Sequence, residues 1–272
     1  MTYRDILVIV DEKVGSRSVI LAAVHQAQKS KALLIGVFIK PPFIYPYMGS
    51  DFGTYIPADI IQTMMDDHAA MVLKASKAAR EAFQTQSAKA GVDCEWRELD
   101  GTDRDGLITL ARCTDLLVYP KAGIAEMGYS AADITLSVGG PVLLVSKSEE
   151  VLQPTKALVA WNGSREIANA LRGSWPMITG LDVKVVCVSD RAQSLDDLEQ
   201  HIKRHDLVPA ISRIDGHDSD AGEIIQAQIK ALGCNLVVMG LYGRTRLQEL
   251  ILGGASRTLL HADDPTLLLV SH

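Results

Sequence analysis

Apolar residues in this chain fall into short unbroken runs, separated by longer stretches in which they recur every three or four positions. The runs at 6–10, 33–39, 116–119 and 141–145 read Ile-Leu-Val-Ile-Val, Leu-Leu-Ile-Gly-Val-Phe-Ile, Leu-Leu-Val-Tyr and Pro-Val-Leu-Leu-Val. Unbroken apolar runs of this length predict strands covered on both faces, as parallel sheets require. Between the first two runs, Val19, Ala22, Ala23, Gln26 and Ala27 lie at helical spacing, which predicts a helix from a Ser16 cap through Gln28. A long helix is expected over 58–90, closed by Gly91 in the left-handed position that glycine alone takes cheaply. A third strand at 92–99 and a short helix at 103–112 complete a β-α-β alternation, and such alternation implies parallel strands joined by right-handed crossovers.

The pattern then restarts. Ala157-Leu158-Val159-Ala160-Trp161-Asn162 aligns with 6–11, Ile214-Asp215-Gly216 with Leu99-Asp100-Gly101, 235–239 with 115–119, and 265–270 with 141–145. The offset is 162 − 11 = 151 at the first strand and 215 − 100 = 115 at the third, so the first copy carries about 36 extra residues. A Pro- and aromatic-rich loop at 40–57 and the long helix account for them. The chain therefore reads as an α/β protein of two tandem Rossmann-like or flavodoxin-like domains, 1–147 and 155–272, joined by a polar linker. Each is expected to be a five-stranded parallel sheet of order 3-2-1-4-5 with helices on both faces. Such a sheet reverses its winding between strands one and four, and ligands bind outside the carboxyl ends there. In the second copy the loops after Ala160 and Met239 flank that point.

At 272 residues, with 47% hydrophobic composition, the chain has ample apolar material for two packed cores. Net charge is −6, divided −4 (15 − 19) over 1–150 and −2 (12 − 14) over the remainder, so neither half carries a nucleic-acid footprint. Cys94, Cys113, Cys187 and Cys234 form no CxxC pair, which argues against zinc or a disulfide framework. No stretch reaches membrane-spanning length, and the start reads as a buried strand, so a cytoplasmic compartment is expected.

The chemistry concentrates at 235–256, NLVVMGLYGRTRLQELILGGAS. A buried strand ends at Met239 and is followed by Gly240, Gly243 and the pair Gly253-Gly254. Glycines beyond a parallel strand and before a helix let backbone N–H groups converge on a phosphate. The spacing G-x2-G-x9-G, followed by a small or hydroxyl residue, resembles the nucleotide-binding signature of the universal stress protein family, and the duplicated chain is most similar to its tandem two-domain branch. That resemblance implies a stress-response regulator or sensor binding an adenine nucleotide, ATP or else AMP or ADP, in the second domain. Ala160 and Asn162 would then meet adenine and ribose or phosphate, and Val188 and Met239 would line the base pocket. Gly240, Gly243, Arg244, Gly253, Gly254, Ala255 and Ser256 would surround the phosphates. Asn162 stands where the family usually has Asp, so the charge that favours magnesium is missing. Gly254 stands where it prefers Ser or Thr.

In the first copy Pro120 replaces the first glycine and has no N–H to offer. Gly139-Gly140 reads as a tight turn, so no nucleotide is expected there. The aromatic loop with Phe43, Tyr45, Tyr47, Phe52 and Tyr55 reads as a lid on the long helix, or alternatively as a pocket for an apolar, lipid-like molecule. His201 and His205 sit at i, i+4 on a polar helix and read as a solvated face rather than a metal site. No catalytic residue stands out, so at most slow ATP hydrolysis is expected. Family members often dimerise through strand five, which implies an internal pseudo-dimer of the two copies or a homodimer, besides a protein partner the sequence does not name. Apolar fifth strands such as 267–270 are edges that need cover.

Overall fold

The computed structural model describes residues 2–11, 16–45, 57–124, 128–148, 153–189, 194–217, 219–241, 254–262 and 266–272. The first half contains β1 (Asp5–Ile9), α1 (Ser16–Ser30), β2 (Leu33–Lys40), α2 (Ala58–Ala90), β3 (Cys94–Asp100), α3 (Arg104–Arg112), β4 (Leu116–Pro120), α4 (Ala131–Val138) and β5 (Val142–Val145). The second contains β6 (Lys156–Ala160), α5 (Arg165–Ile178), β7 (Asp182–Val188), α6 (Asp196–Lys203), β8 (Ala210–Ile214), α7 (Ala221–Leu232), β9 (Leu236–Gly240), α8 (Gly254–His261) and β10 (Leu267–Ser271).

All ten strands join in one sheet of order β3-β2-β1-β4-β5-β10-β9-β6-β7-β8. Each half is thus a parallel 3-2-1-4-5 unit, as the hydrophobic runs predict. The halves meet where β5 and β10 pair antiparallel, Val145 opposite Leu267 and Val142 opposite Val270. Two apolar clusters line the sheet, one on each face, and both draw residues from both halves. The fifth strand is accordingly no open edge: Leu267, Leu268, Leu269 and Val270 are fully buried at the centre of the sheet, which corrects the edge argument for a homodimer. The outer strands are β3 and β8, whose Glu95, Arg97, Glu98 and Arg213 are exposed, and charged edges resist pairing with other chains.

Local chemistry fixes several element ends. Gly91 closes α2 at φ 65°, with its N–H donating to Ala88 and that of Val92 to Ser87. Asp103 caps α3 by accepting from Gly106 N, and Ser164 caps α5 by accepting from Ile167 N. The stretch read as a tight turn at 139–140 is the end of α4, a helix the sequence reading passed over, with Gly139 left-handed at φ 76°. Contacts across the seam add to the strand ladder. Tyr3 Oη donates to Gly173 O at 2.6 Å, Lys29 Nζ to Met177 O and Thr179 O at 2.9 and 3.0 Å, and Lys121 Nζ to Ala262 O at 2.7 Å.

Candidate functional site

In the second half β6 and β9 lie side by side, Ala160 opposite Met239, and the chain winds outward in opposite directions from them, to β7 on one side and β10 on the other. This is the reversal point, and of the predicted residues Ala160, Val188, Met239 and Gly240 lie at the carboxyl ends of its strands. Ala160, Val188 and Met239 are buried on one face of the sheet and belong to a single apolar cluster, against which Ala255 of α8 packs. Alternation along parallel strands puts them on that face together. Ser256 is buried, and Gly254 and Ala255 are half-buried, in the first turn of α8. The start of α8 is set by α7: a Cβ on Gly222 would lie 2.6 Å from Thr258 Oγ1 and 2.8 Å from Gly254 O, so only glycine permits that crossing. Gly243, Arg244 and Gly253 lie outside the described residues.

Asn162 is exposed on the rim, where its Oδ1 accepts from Ser164 N at 3.1 Å. The side chain thereby shapes the turn that leads into the Ser164 cap. Gly240 has a role of its own. It follows Met239 and so faces the opposite side of the sheet, where a Cβ would meet Ile167 N at 2.5 Å and Glu166 C at 2.8 Å. The first turn of α5 therefore rests on the bare backbone of β9, and the glycine there is required by packing.

The same contact brings in Glu166, a buried carboxylate that the sequence reading missed. Burial pushes its pKa up, but hydrogen bonds from its own N–H, Ser164 and Arg165 outweigh that and hold it below the ordinary carboxylate value. Arg165 Nη2 lies 3.1 Å from Glu166 Oε1. A negative charge held at the N-terminus of α5 complements the helix dipole. Nothing in the local sequence signals its burial.

The first half carries bulkier side chains at the corresponding places. Ile9, Ile39 and Tyr119 occupy the places of Ala160, Val188 and Met239, and all are buried. Tyr129, also buried, donates from its hydroxyl to Gly101 O at 2.8 Å and accepts at its carbonyl from Tyr119 Oη at 2.9 Å. Burial pushes the Tyr119 phenol well above its usual range, so it stays a donor. A Cβ on Gly123 would strike Tyr129 O at 2.7 Å, and Gly123 is left-handed at φ 71°. This glycine serves the tyrosine turn.

Elsewhere, Phe43 stacks edge-on against Tyr45 and His68, and His68 Nε2 lies 3.0 Å from Pro41 O, so the described start of the aromatic loop packs on α2. Tyr47, Phe52 and Tyr55 lie outside the described residues. His201 and His205 are not a solvated face. His205 falls beyond the end of α6 and stacks on the buried Trp175 at 3.9 Å and 13°, with His201 edge-on at 5.6 Å. Among the described residues no group of His, Cys, Asp or Glu has metal-binding geometry, and no helix is long and apolar enough to cross a membrane.

No protein-family model matches the sequence, and no curated protein is significantly similar to it. Among solved structures, a universal stress protein from Archaeoglobus fulgidus is similar over 98% of this chain and 95% of its own, at 16% identity and a TM-score of 0.66. A universal stress protein solved in complex with cAMP matches 54% of this chain and 100% of its own, at 24% identity and a TM-score of 0.36. Universal stress protein UspA from Lactobacillus plantarum matches 40% and 92%, at 16% identity and a TM-score of 0.29. The first of these likenesses, spanning nearly the whole of both chains, shows that the two halves together have the universal stress protein fold.

Proposed function

We propose that this chain, built on that fold, is a tandem universal stress protein whose second half binds an adenine nucleotide, ATP foremost, as a sensing or regulatory module. The observation that supports the reading is the difference in side chains at the two reversal points: Ile9, Tyr119 and Tyr129 at the first, the smaller Ala160 with Met239 at the second, where Ala255 of the first turn of α8 packs on the same cluster. Free N–H groups at a helix start favour an anion, and the glycine spacing at 240–253 suits a phosphate cradle feeding that start. Adenine would rest on Ala160, Val188 and Met239, with the phosphates among Gly243, Arg244, Gly253, Gly254, Ala255 and Ser256. Asn162 Nδ2 is suited to donate to ribose or phosphate oxygen, since its Oδ1 serves the turn. With an amide rather than a carboxylate there, binding is expected to depend little on magnesium.

The test is calorimetric titration of the full chain with ATP, ADP and AMP, with and without magnesium, alongside native mass spectrometry of freshly purified protein. Saturable binding that a bulky Gly243→Trp substitution weakens at least tenfold is the expected result. No binding at millimolar nucleotide under either condition overturns the proposal.

A further inference from the structure

Helix α2 is far longer than the sheet needs. Its buried residues, Ala75, Ser76, Ala79, Phe83 and Ser87, all lie in its second half. The first half carries large apolar side chains in the open: Ile60 is 48% exposed, Met64 38% and Met71 56%. These three share one stripe with Asp67, Lys74, Ala78 and Ala82, because steps of three, four and seven return to the same side of a helix. Asp67, Lys74, Ala78 and Ala82 are exposed as well.

Two features of the stripe decide what covers it. Its large residues are N-terminal and its small ones C-terminal. On the stripe itself the charge is divided the same way, with Asp67 before Met71 and Lys74 after it. The stripe is thus complementary to itself run backwards. With a two-fold axis beside Met71, the two Met71 side chains meet, Met64 lies against Ala78 of the second copy, and Ile60 against Ala82. Asp67 comes within reach of Lys74 of the second copy, twice over. We infer that the outer stripe of α2 is a docking surface for a second copy of this chain, paired as an isologous antiparallel helix dimer. The overlap of residues 60–82 spans about 34 Å at ~1.5 Å per residue. That single helix pair is short of a standard interface, so the dimer is weak and concentration-dependent. The apolar contacts supply the affinity, and the charges fix the antiparallel register. The seam between β5 and β10 takes no part.

Sedimentation velocity of the full chain, under reducing conditions and low salt over micromolar to hundreds of micromolar concentration, tests this. The expected result is a reversible monomer–dimer equilibrium that Met71→Lys weakens by more than tenfold. Asp67→Lys and Lys74→Asp each turn two attractive pairs into repulsive ones and are expected to weaken self-association about tenfold. The double variant D67K/K74D exchanges the signs and restores it, and mixing the two single variants gives a heterodimer. All these positions are exposed, so thermal melts close to wild type verify folding. A monomer across the whole range, a dimer indifferent to Met71→Lys, or a double variant as weak as the singles overturns the proposal.

Discussion

Replacing Gly240 by alanine is the sharpest available probe of how the candidate site is built. The added methyl group would lie 2.5 Å from Ile167 N and 2.8 Å from Glu166 C, both backbone atoms. To reach ordinary contact at 3.4 Å, the first turn of α5 would retreat by about 0.9 Å (3.4 − 2.5). That helix is poorly placed to retreat, because Ile167, Ala170, Leu171 and Trp175 are buried in the core and Lys29 holds Met177 O and Thr179 O from the other half. Overpacking of this kind costs ~1–3 kcal/mol, offset by ~0.4–1 kcal/mol from the reduced freedom of the unfolded chain. The net expectation is a loss of about 1–2 kcal/mol, read in urea as a lower midpoint at unchanged slope. Gly140→Ala is the control, since its nearest neighbour would be Val138 Cγ1 at 3.9 Å and its φ is not left-handed. A G240A protein as stable as wild type would mean that α5 yields freely and that this glycine is not a packing requirement.

Removing the Tyr129 hydroxyl with Tyr129→Phe leaves the buried Gly101 carbonyl without its donor and is expected to cost ~1–2 kcal/mol, measured by the same unfolding curves. The shared clusters predict that both halves unfold together: fluorescence of Trp96 alone (Trp161→Phe with Trp175→Phe) and of Trp175 alone (Trp96→Phe with Trp161→Phe) should report coincident transitions. Leu143→Ala at the seam should lower both by ~2–5 kcal/mol. Burial, reinforced by His205, Arg172 and Arg204, holds the His201 imidazole below its usual 6.5. Its contribution to stability is therefore complete above pH 6.5 and is lost as pH falls below that value, where the unfolded chain takes up the proton first. His201→Gln should flatten the fall in melting temperature between pH 7 and 5.5, and a slope identical to wild type would refute this.

Much of the fold could be read from the chain because each strand is a continuous apolar run and each major helix ends on a recognisable residue. Gly91 after α2 is the clearest case. The five-strand order in each half followed from the duplication and the winding rules. What escaped was set by contacts distant in sequence or by elements too short to show a period. Helix α4 has only eight residues, and its two ends, Ser130 and Gly139, read equally well as turns. The two histidines look solvated on a helical wheel, yet Trp175 of another helix covers them. At the candidate site, that Ala160, Val188 and Met239 close adjacent strands and share one face follows from the runs they end, whereas their role there came from the family resemblance. That Gly240 faces α5, that Glu166 is buried beside it, and that Tyr129 is buried against Tyr119 all depend on which elements cross. No local pattern records that.

The antiparallel junction of β5 and β10 has a consequence for communication. Because strand direction flips there, the carboxyl ends of the two halves emerge on opposite rims of one continuous sheet. A molecule held at the second rim is out of reach of anything recognised at the first. Any signal between them has to pass through the shared sheet and the contacts that cross its seam, such as Lys29 on Met177 O and Lys121 on Ala262 O, rather than as a touch between ligands.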